Sequence, residues 1–354
     1  MNRSGLMSWR WFALTLVLLV VTGLTGVFVV RAVDDQRHRL VPTAATARDR
    51  ELDLGAVLDA PHVVFRSTAP GPTYGLLAAV PLADPGGARS VSATSCDRVY
   101  ATAGSGICLA AQRGGVTTYS AELLTGRLAR SRPVPISGIP SRARLSADGS
   151  WVATTTFVGG HGYGTVGFST ETTILDRSTG TSLGNLEKQF RTLIDGRPVT
   201  AKDLNVWGVT FAPGPHPQTF YATVATGGKT WLVRGDLPGR TLTALRPDAE
   251  CPSVSPDGTK VVYKKRAGSP ITWRYHVLDL RSGVERPLVE TRSVDDQAEW
   301  LNGHQVLYGL PRKDSGQTDV WVADVRSGAG RPRVFLPDAW SPAVVRTAAS
   351  SPPS

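Results

Sequence analysis

Residues 251–263 read CPSVSPDGTKVVY, and this stretch decides the fold. A short apolar strand leads into the turn Pro256-Asp-Gly258, and Asp-Gly is a dipeptide that tolerates the positive φ of a tight hairpin. A β-branched strand follows. Another strand, residues 276–280, then runs into a turn at Arg281-Ser-Gly283. The unit predicts several short antiparallel strands joined by tight turns.

The same unit recurs along the chain, and the copies lie about 45 residues apart where they are best preserved. A strong copy covers residues 299–328, and a fair one covers 146–180. Degenerate copies begin at Val209 and at Val91, the latter with Val91–Thr94 as its first strand. Repeats of about 40–50 residues with several strands are typical of propeller blades, which bury their faces only by stacking on neighbouring blades. We predict an all-β, six-bladed β-propeller over residues 57–346.

The first blade, residues 61–82, lacks an innermost strand in the sequence pattern. Residues 339–345, AWSPAVV, match the first strand of a unit but have no blade after them. Pairing the two would close the ring and remove an exposed sheet edge. We therefore expect the C-terminal strand to complete the first blade, and residues 347–354 to be a disordered tail.

The Ser255-Pro-Asp-Gly258 core, with the strands after it, resembles the repeat of TolB-like (PD40-type) β-propellers. The resemblance is strongest to the membrane-anchored TolB-like proteins of actinobacteria, which share the stretches Glu250-Cys-Pro-Ser253 and Ser293-Val-Asp-Asp-Gln297. It covers residues 60–346. The resemblance implies a periplasmic or cell-surface propeller of scaffold type, and it supplies no catalytic residues.

Residues 11–30 contain no charged residue, and a helix of that length spans the hydrocarbon core of a bilayer. We expect a retained transmembrane signal-anchor here, with residues 1–10 in the cytoplasm and residues 31–56 as a linker. The alternative is a cleaved signal peptide, whose apolar region is usually shorter.

The cysteines indicate the orientation, because the basic residues on the two sides of the anchor are nearly balanced. Cys96 and Cys108 flank a predicted tight strand pair, where a cross-strand disulfide is reasonable, and disulfides persist in oxidising compartments. We place the propeller on the extracytoplasmic side of the cytoplasmic membrane. Two reduced, buried cysteines in a cytosolic domain are the alternative. Cys251 is expected to be free and buried.

The chain carries a net charge of +10, and its basic residues, mostly Arg, are scattered singly between the strands. This pattern argues against a nucleic-acid partner, which would require a clustered basic patch. It fits either weak attraction to anionic lipids and cell-wall polymers or an ordinary solvated basic surface.

Asp295, Asp296 and Glu299 form the densest acidic cluster, just before the innermost strand of the sixth blade. Loops there border the central channel, so the cluster could bind a cation or an amine. Alternatively, it tethers neighbouring blades by accepting backbone hydrogen bonds. His161 is a further candidate at the channel mouth, in a Gly-rich loop whose G-x-G-x-x-G pattern lacks the βαβ context of a nucleotide site. No motif predicts a catalytic residue, a metal site or a cofactor.

These observations favour a non-enzymatic, membrane-anchored propeller that binds a protein or a cell-envelope component. One alternative is a propeller enzyme of hydrolase, lyase or lactonase type with a metal at the channel mouth. The other is a sensor of small ligands, which would need a deep apolar channel.

Overall fold

The computed structural model describes residues 13–23, 25–28, 31 and 52–346, apart from positions 115, 160–167, 216, 269, 270, 314 and 329. It divides into two units: residues 1–46 with 69–74, and the remainder of the chain. In the first unit, residues 13–23 and 25–28 are helical. Within the described part of the chain no helix is long and apolar enough to cross a membrane. Five positions of the predicted anchor 11–30, all of the tail 347–354, His161 and most of the linker 31–56 lie outside the described residues.

The second unit consists of six mainly antiparallel sheets, which are the six predicted blades. The first three are built mainly from the amino-terminal half of the chain. Blade 1 contains β1 His62–Ser67, β2 Leu76–Pro81 and β3 Ser90–Ser95. Blade 2 contains β4 Arg98–Thr102, β5 Ser105–Gln112, β6 Thr118–Thr125 and β7 Arg130–Val134. Blade 3 contains β8 Ile139–Leu145, β9 Trp151–Gly159, β10 Phe168–Asp176 and β11 Ser182–Asn185.

Blade 4 differs from the others because two extra strands, β12 Arg191–Ile194 and β13 Arg197–Val199, extend its outer edge. Its regular strands are β14 Asn205–Phe211, β15 Thr219–Thr226, β16 Lys229–Asp236 and β17 Thr241–Pro247. Blade 5 contains β18 Glu250–Val254, β19 Lys260–Ala267, β20 Thr272–Asp279 and β21 Glu285–Pro287. Blade 6 contains β22 Glu299–Trp300, β23 Gln305–Pro311, β24 Thr318–Asp324 and β25 Arg333–Leu336.

The last strand, β26 Ala339–Val345, pairs antiparallel with β1, and His62 lies opposite Val345. β26 therefore occupies the innermost position of blade 1, beside a strand from the other end of the chain. That the closed ring depends on this pairing remains a prediction.

Blade 2 departs from the sequence prediction. Residues 91–94 belong to β3, the outer strand of blade 1, and the innermost strand of blade 2 is β4. The assignment was wrong by one strand because the turn after β4 is Ala103-Gly104 and lacks the Asp-Gly that follows the innermost strands of blades 3 and 5. The correction puts Arg98 and Tyr100 on an innermost strand.

The hydrophobic core lies between the blades. Each of the six buried clusters in the described residues joins two neighbouring blades, as expected for units that cannot bury both faces alone. Tyr275 of blade 5, for example, packs edge-on against Tyr308 of blade 6, with ring centroids 5.4 Å apart. The helix α1 Leu54–Leu58 adds Val57 and Leu58 to the cluster between blades 1 and 2.

Glu187 lies in the one-turn helix α2 Leu186–Gln189, between blades 3 and 4. Its Oε1 accepts hydrogen bonds from the Val206 amide at 3.0 Å and from the Thr170 hydroxyl at 3.3 Å. Its Oε2 is buried without a partner. Burial outweighs these hydrogen bonds and raises the pKa of Glu187 from 4.5 to about 7.

We expect Glu187 to make the folded state less stable as the pH rises from 4.5 to 7. Over that range the folded chain holds a proton that the unfolded chain has released, so the loss amounts to roughly 3 kcal/mol. Glu187→Gln keeps the site neutral, so the stability of the variant relative to the parent should rise between pH 5 and pH 8. Thermal melts across this range test the prediction, and parallel curves for the two proteins would contradict it.

Candidate functional site

The six innermost strands β4, β8, β14, β18, β22 and β26 contact one another in sequence around a central axis. In blade 6 this strand is only two residues long, because the preceding segment, residues 294–298, crosses the channel instead of pairing in the sheet. We call residues 294–299 the channel segment. It contains all three acidic residues that the sequence singled out.

Asp296 of the channel segment bridges to two other blades. Its Oδ1 lies 2.8 Å from Nη1 of Arg98 on blade 2 and 3.5 Å from Nη2 of Arg142 on blade 3. Its side chain is only 3% exposed. Burial alone would raise the pKa of Asp296, but the charges of the two arginines outweigh burial and lower it. Asp296 is therefore a buried carboxylate held ionised by two cations.

Glu299 forms a second buried ion pair, with Nη1 of Arg144. The Arg144 guanidinium also donates from Nη2 to the Ala298 carbonyl at 2.6 Å, and it lies 4.5 Å from the centre of the Tyr100 ring. The other carboxylate oxygen of Glu299 accepts a hydrogen bond from the Val344 amide of β26 at 3.2 Å. Burial alone would lower the pKa of Arg144, but the negative charge of Glu299 outweighs burial and raises that pKa. The pair thus connects blades 3 and 6 to the last strand.

Gln297 completes the channel segment by donating to blades 4 and 5. Its Nε2 lies 2.7 Å from the Pro252 carbonyl and 3.3 Å from the carbonyls of Gly208 and Val209. From the side of blade 5, the Tyr275 hydroxyl donates to the Asp296 carbonyl at 3.1 Å. The segment therefore contacts all the other blades and fills the channel at mid-height, leaving a cavity on each side.

One cavity, of about 340 Å³, lies where the innermost strands end. The other, of about 440 Å³, lies where they begin, and we call it the mouth cavity. Its walls combine aromatic rings with charged groups, and its volume falls within the range of ligand pockets. It is lined by Arg98, Ser141, Arg142, Thr155, Phe157, Trp207, Glu250, Cys251, Lys264, Arg266, Trp273 and Asp295.

β-bulges shape the wall of the mouth cavity. The pairing register shifts just after Trp207 in β14 and just after Glu250 in β18, and such bulges re-aim neighbouring side chains. The following residues, Gly208 and Cys251, have φ angles of +67° and +51°. Gly208 has to be glycine, because a Cβ there would lie 2.8 Å from the Cα of Cys251. Two neighbouring blades thus present Trp207 and Glu250 to the same cavity.

The remaining cavity charges are mostly paired. Lys264, 6% exposed, forms an ion pair with Asp295, which is 64% exposed, and lies 4.0 Å from the centre of the Trp273 ring. Arg266 pairs with Glu250 at 3.1 Å. Burial lowers the pKa of Lys264, but neighbouring acidic groups, including Asp295, outweigh it and raise that pKa.

Of the predicted site residues, Asp295 lines the mouth cavity, whereas Asp296 and Glu299 lie beneath it in the same channel segment. The tethering alternative describes this geometry, although arginine side chains contribute as well as backbone amides. A cation at Asp296 would have to displace Arg98 and Arg142. Among the described residues no group of three potential metal ligands is found.

The cysteine pairing follows the predicted pattern. Cys96 and Cys108 are joined by a disulfide, with their Cα atoms 5.5 Å apart. Cys251 is free and buried, and it lies in the wall of the mouth cavity. Burial raises the pKa of its thiol. A protonated thiol is a poor nucleophile, so nothing here activates Cys251 for covalent chemistry.

Sequence reasoning missed Arg98, Arg142, Arg144 and Lys264. Arg142 and Arg144 lie two residues apart on β8, so their side chains face the same side of the strand. This spacing is the one local signal that they share a surface. Nothing in the sequence indicates that this surface faces the channel.

Comparison with solved structures finds similar folds. The structure of TolB from Acinetobacter baumannii matches with a TM-score of 0.54 at 17% identity, covering 80% of this chain and 66% of that one. The fold is similar to that of TolB. A structure of a nidogen/laminin complex matches with a TM-score of 0.52 at 10% identity, covering 80% of this chain and 98% of that one. No family model and no curated protein matches the sequence. At these identities the likeness concerns the fold alone.

Proposed function

We propose that this chain is a non-enzymatic binding propeller, anchored in the cytoplasmic membrane by residues 11–30, with the propeller on the extracytoplasmic side. Its partner is a protein or another component of the cell envelope, and the docking face is the mouth cavity. The observation that carries the proposal is the filled channel. Asp296 and Glu299 are engaged by arginines, so the mouth, with its exposed Phe157, is where a partner can reach mixed aromatic and charged groups.

The similar folds and the disulfide support this proposal. TolB shares the fold, and the other similar structure is that of a complex of nidogen with laminin. Aromatic residues and arginine are enriched where proteins bind each other, and the mouth cavity combines both. The paired cysteines fit an oxidising compartment.

The orientation is tested by a reporter that is active only outside the cytoplasm, fused after Val345 in the full chain. We expect activity, together with membrane association of the fusion. A matched fusion to the amino terminus should be inactive. An active amino-terminal fusion with an inactive fusion after Val345 would reverse the proposed topology.

The docking face is tested by photo-cross-linking in intact cells. A photoreactive phenylalanine analogue replaces Phe157, which lines the mouth cavity and is 37% exposed. The control places the same analogue at Val284, which is 56% exposed near the outer edge of blade 5. We expect a discrete adduct with an envelope component from position 157 and none from position 284. The same adducts from both positions, or no adduct from position 157, would contradict the proposal.

A further inference from the structure

Arg142 is held less tightly than the other cations around the mouth cavity. Its Nη1 donates to the Ser141 carbonyl at 3.1 Å, and its Nη2 lies 3.5 Å from Asp296, which is long for a hydrogen bond. Its Nε is buried with no acceptor. A guanidinium has five N–H donors, so most of the hydrogen-bonding capacity of Arg142 is unused.

Arg98 and Arg142 share a single carboxylate oxygen. The nearer partner, Arg98, also stacks on Trp340, with its guanidinium carbon 4.7 Å from the ring centre. Burial and the positive charge of Arg142 together lower the pKa of Arg98. The two arginines are therefore not fully neutralised by Asp296.

The charges in and just beneath the mouth cavity show the same surplus. Among the described residues there, four cations face three carboxylates. The charges cancel within each of the pairs Lys264–Asp295 and Arg266–Glu250. The excess positive charge therefore lies on the two arginines that share Asp296. A buried excess charge is costly unless an opposite charge approaches it.

The surroundings of Arg142 fit a ligand that also has a flat apolar part. Phe157, Trp207 and Trp273 line the same cavity, and the volume of about 440 Å³ accommodates a group of the size of an amino-acid side chain with its carboxylate. Arg142 itself lines this cavity and is 16% exposed, so its guanidinium is accessible to an entering anion.

We propose that the mouth cavity binds a single carboxylate carried next to an aromatic group, with Arg142 as its principal partner. The inference rests on the proposed function in taking the mouth as the docking face, and it specifies the chemistry of the docking group. Two sources share this chemistry: the carboxyl terminus of a partner chain that ends in an aromatic residue, and a free aromatic acid.

The test measures binding of two matched probes to the full-length protein by calorimetry at low salt. N-acetyltryptophan carries the carboxylate, and N-acetyltryptophanamide replaces it by a neutral amide. We expect the acid to bind at least tenfold more tightly than the amide. Equal binding of the two probes, or no binding of the acid at millimolar concentration, overturns the proposal without any variant.

Variants then assign the preference to a residue. Arg142→Gln should reduce the difference between acid and amide to less than twofold, and Arg142→Lys should restore part of it. The control Arg113→Gln changes an arginine that is 70% exposed and should keep the full difference. If Arg142→Gln does not fold, Phe157→Leu serves instead. It leaves every charge in place and should weaken the binding of both probes by the same factor. An Arg142→Gln protein that folds and keeps the tenfold preference overturns the assignment.

A peptide arm separates the two sources. The peptide Gly-Ser-Gly-Trp is compared with its amidated form. Tighter binding of the peptide acid than of N-acetyltryptophan favours a chain terminus, and the reverse order favours a free acid. Either result supports the carboxylate site. Cross-linking from Phe157 without acid preference would refute this inference alone, whereas acid preference without cross-linking would refute the proposed envelope partner alone.

Discussion

Truncating the chain after Asp338 should abolish the native fold, whereas truncation after Thr347 should leave it intact. The shorter protein loses β26 and with it the innermost strand of blade 1. Val345 packs in the cluster between blades 1 and 2, and Val344 in the cluster between blades 6 and 1. Each buried valine is worth roughly 1.5–3 kcal/mol, against about 5–15 kcal/mol for the whole domain.

Polar contacts of β26 add to this loss. The Ser341 hydroxyl donates to the Val99 carbonyl at 2.9 Å and accepts from the Val99 amide at 3.1 Å, which joins β26 to β4 of blade 2. Deletion also leaves the inner edge of β1 unpaired and exposed, and an exposed edge favours aggregation.

Size-exclusion chromatography and thermal melts of the two truncations check the prediction. The chain ending at Asp338 should elute as aggregate and show no cooperative melt. The chain ending at Thr347 retains Arg346, which donates to the Trp300 carbonyl at 2.8 Å, and should melt with the full-length protein. Two truncations of equal stability would show that the ring does not depend on the last strand.

The blades were predictable from the sequence because their signals are local. A strand, an Asp-Gly turn and the next strand lie within about 15 residues, and the turn residues report the backbone geometry directly. Blade 2 shows the limit of this reasoning. Its first turn is Ala103-Gly104, which carries no aspartate, and the strand assignment shifted as a result. The extra strands β12 and β13 were missed for a similar reason, since they are too short to show alternation.

The interior of the channel was not predictable in the same way. The sequence identified Asp296 as part of an acidic cluster, but its partner Arg98 lies 198 residues away. Which single arginines meet the cluster depends on how six blades are arranged around the axis, and no local pattern encodes that arrangement. The cluster therefore resembled a cation site in the sequence, while the folded chain supplies the cations itself.

Breaking the Arg144–Glu299 pair should cause a large loss of stability. Both side chains are 7% exposed, so removing one leaves the other charged and without a counter-charge in the interior. Removal of one member of a buried ion pair typically costs about 3–5 kcal/mol. Arg144→Ala also removes the stacking on Tyr100 and the hydrogen bond to the Ala298 carbonyl.

A double-mutant cycle with urea unfolding measures this coupling. We expect Arg144→Ala and Glu299→Ala each to lower the unfolding midpoint strongly, and the double variant to lose less than the sum of the two, because no isolated charge then remains. The matched control Arg113→Ala breaks an exposed pair with Asp97 and should cost less than about 1 kcal/mol. An Arg144→Ala protein as stable as the Arg113→Ala protein would show that the ion pairs merely occupy the channel and do not hold the blades together.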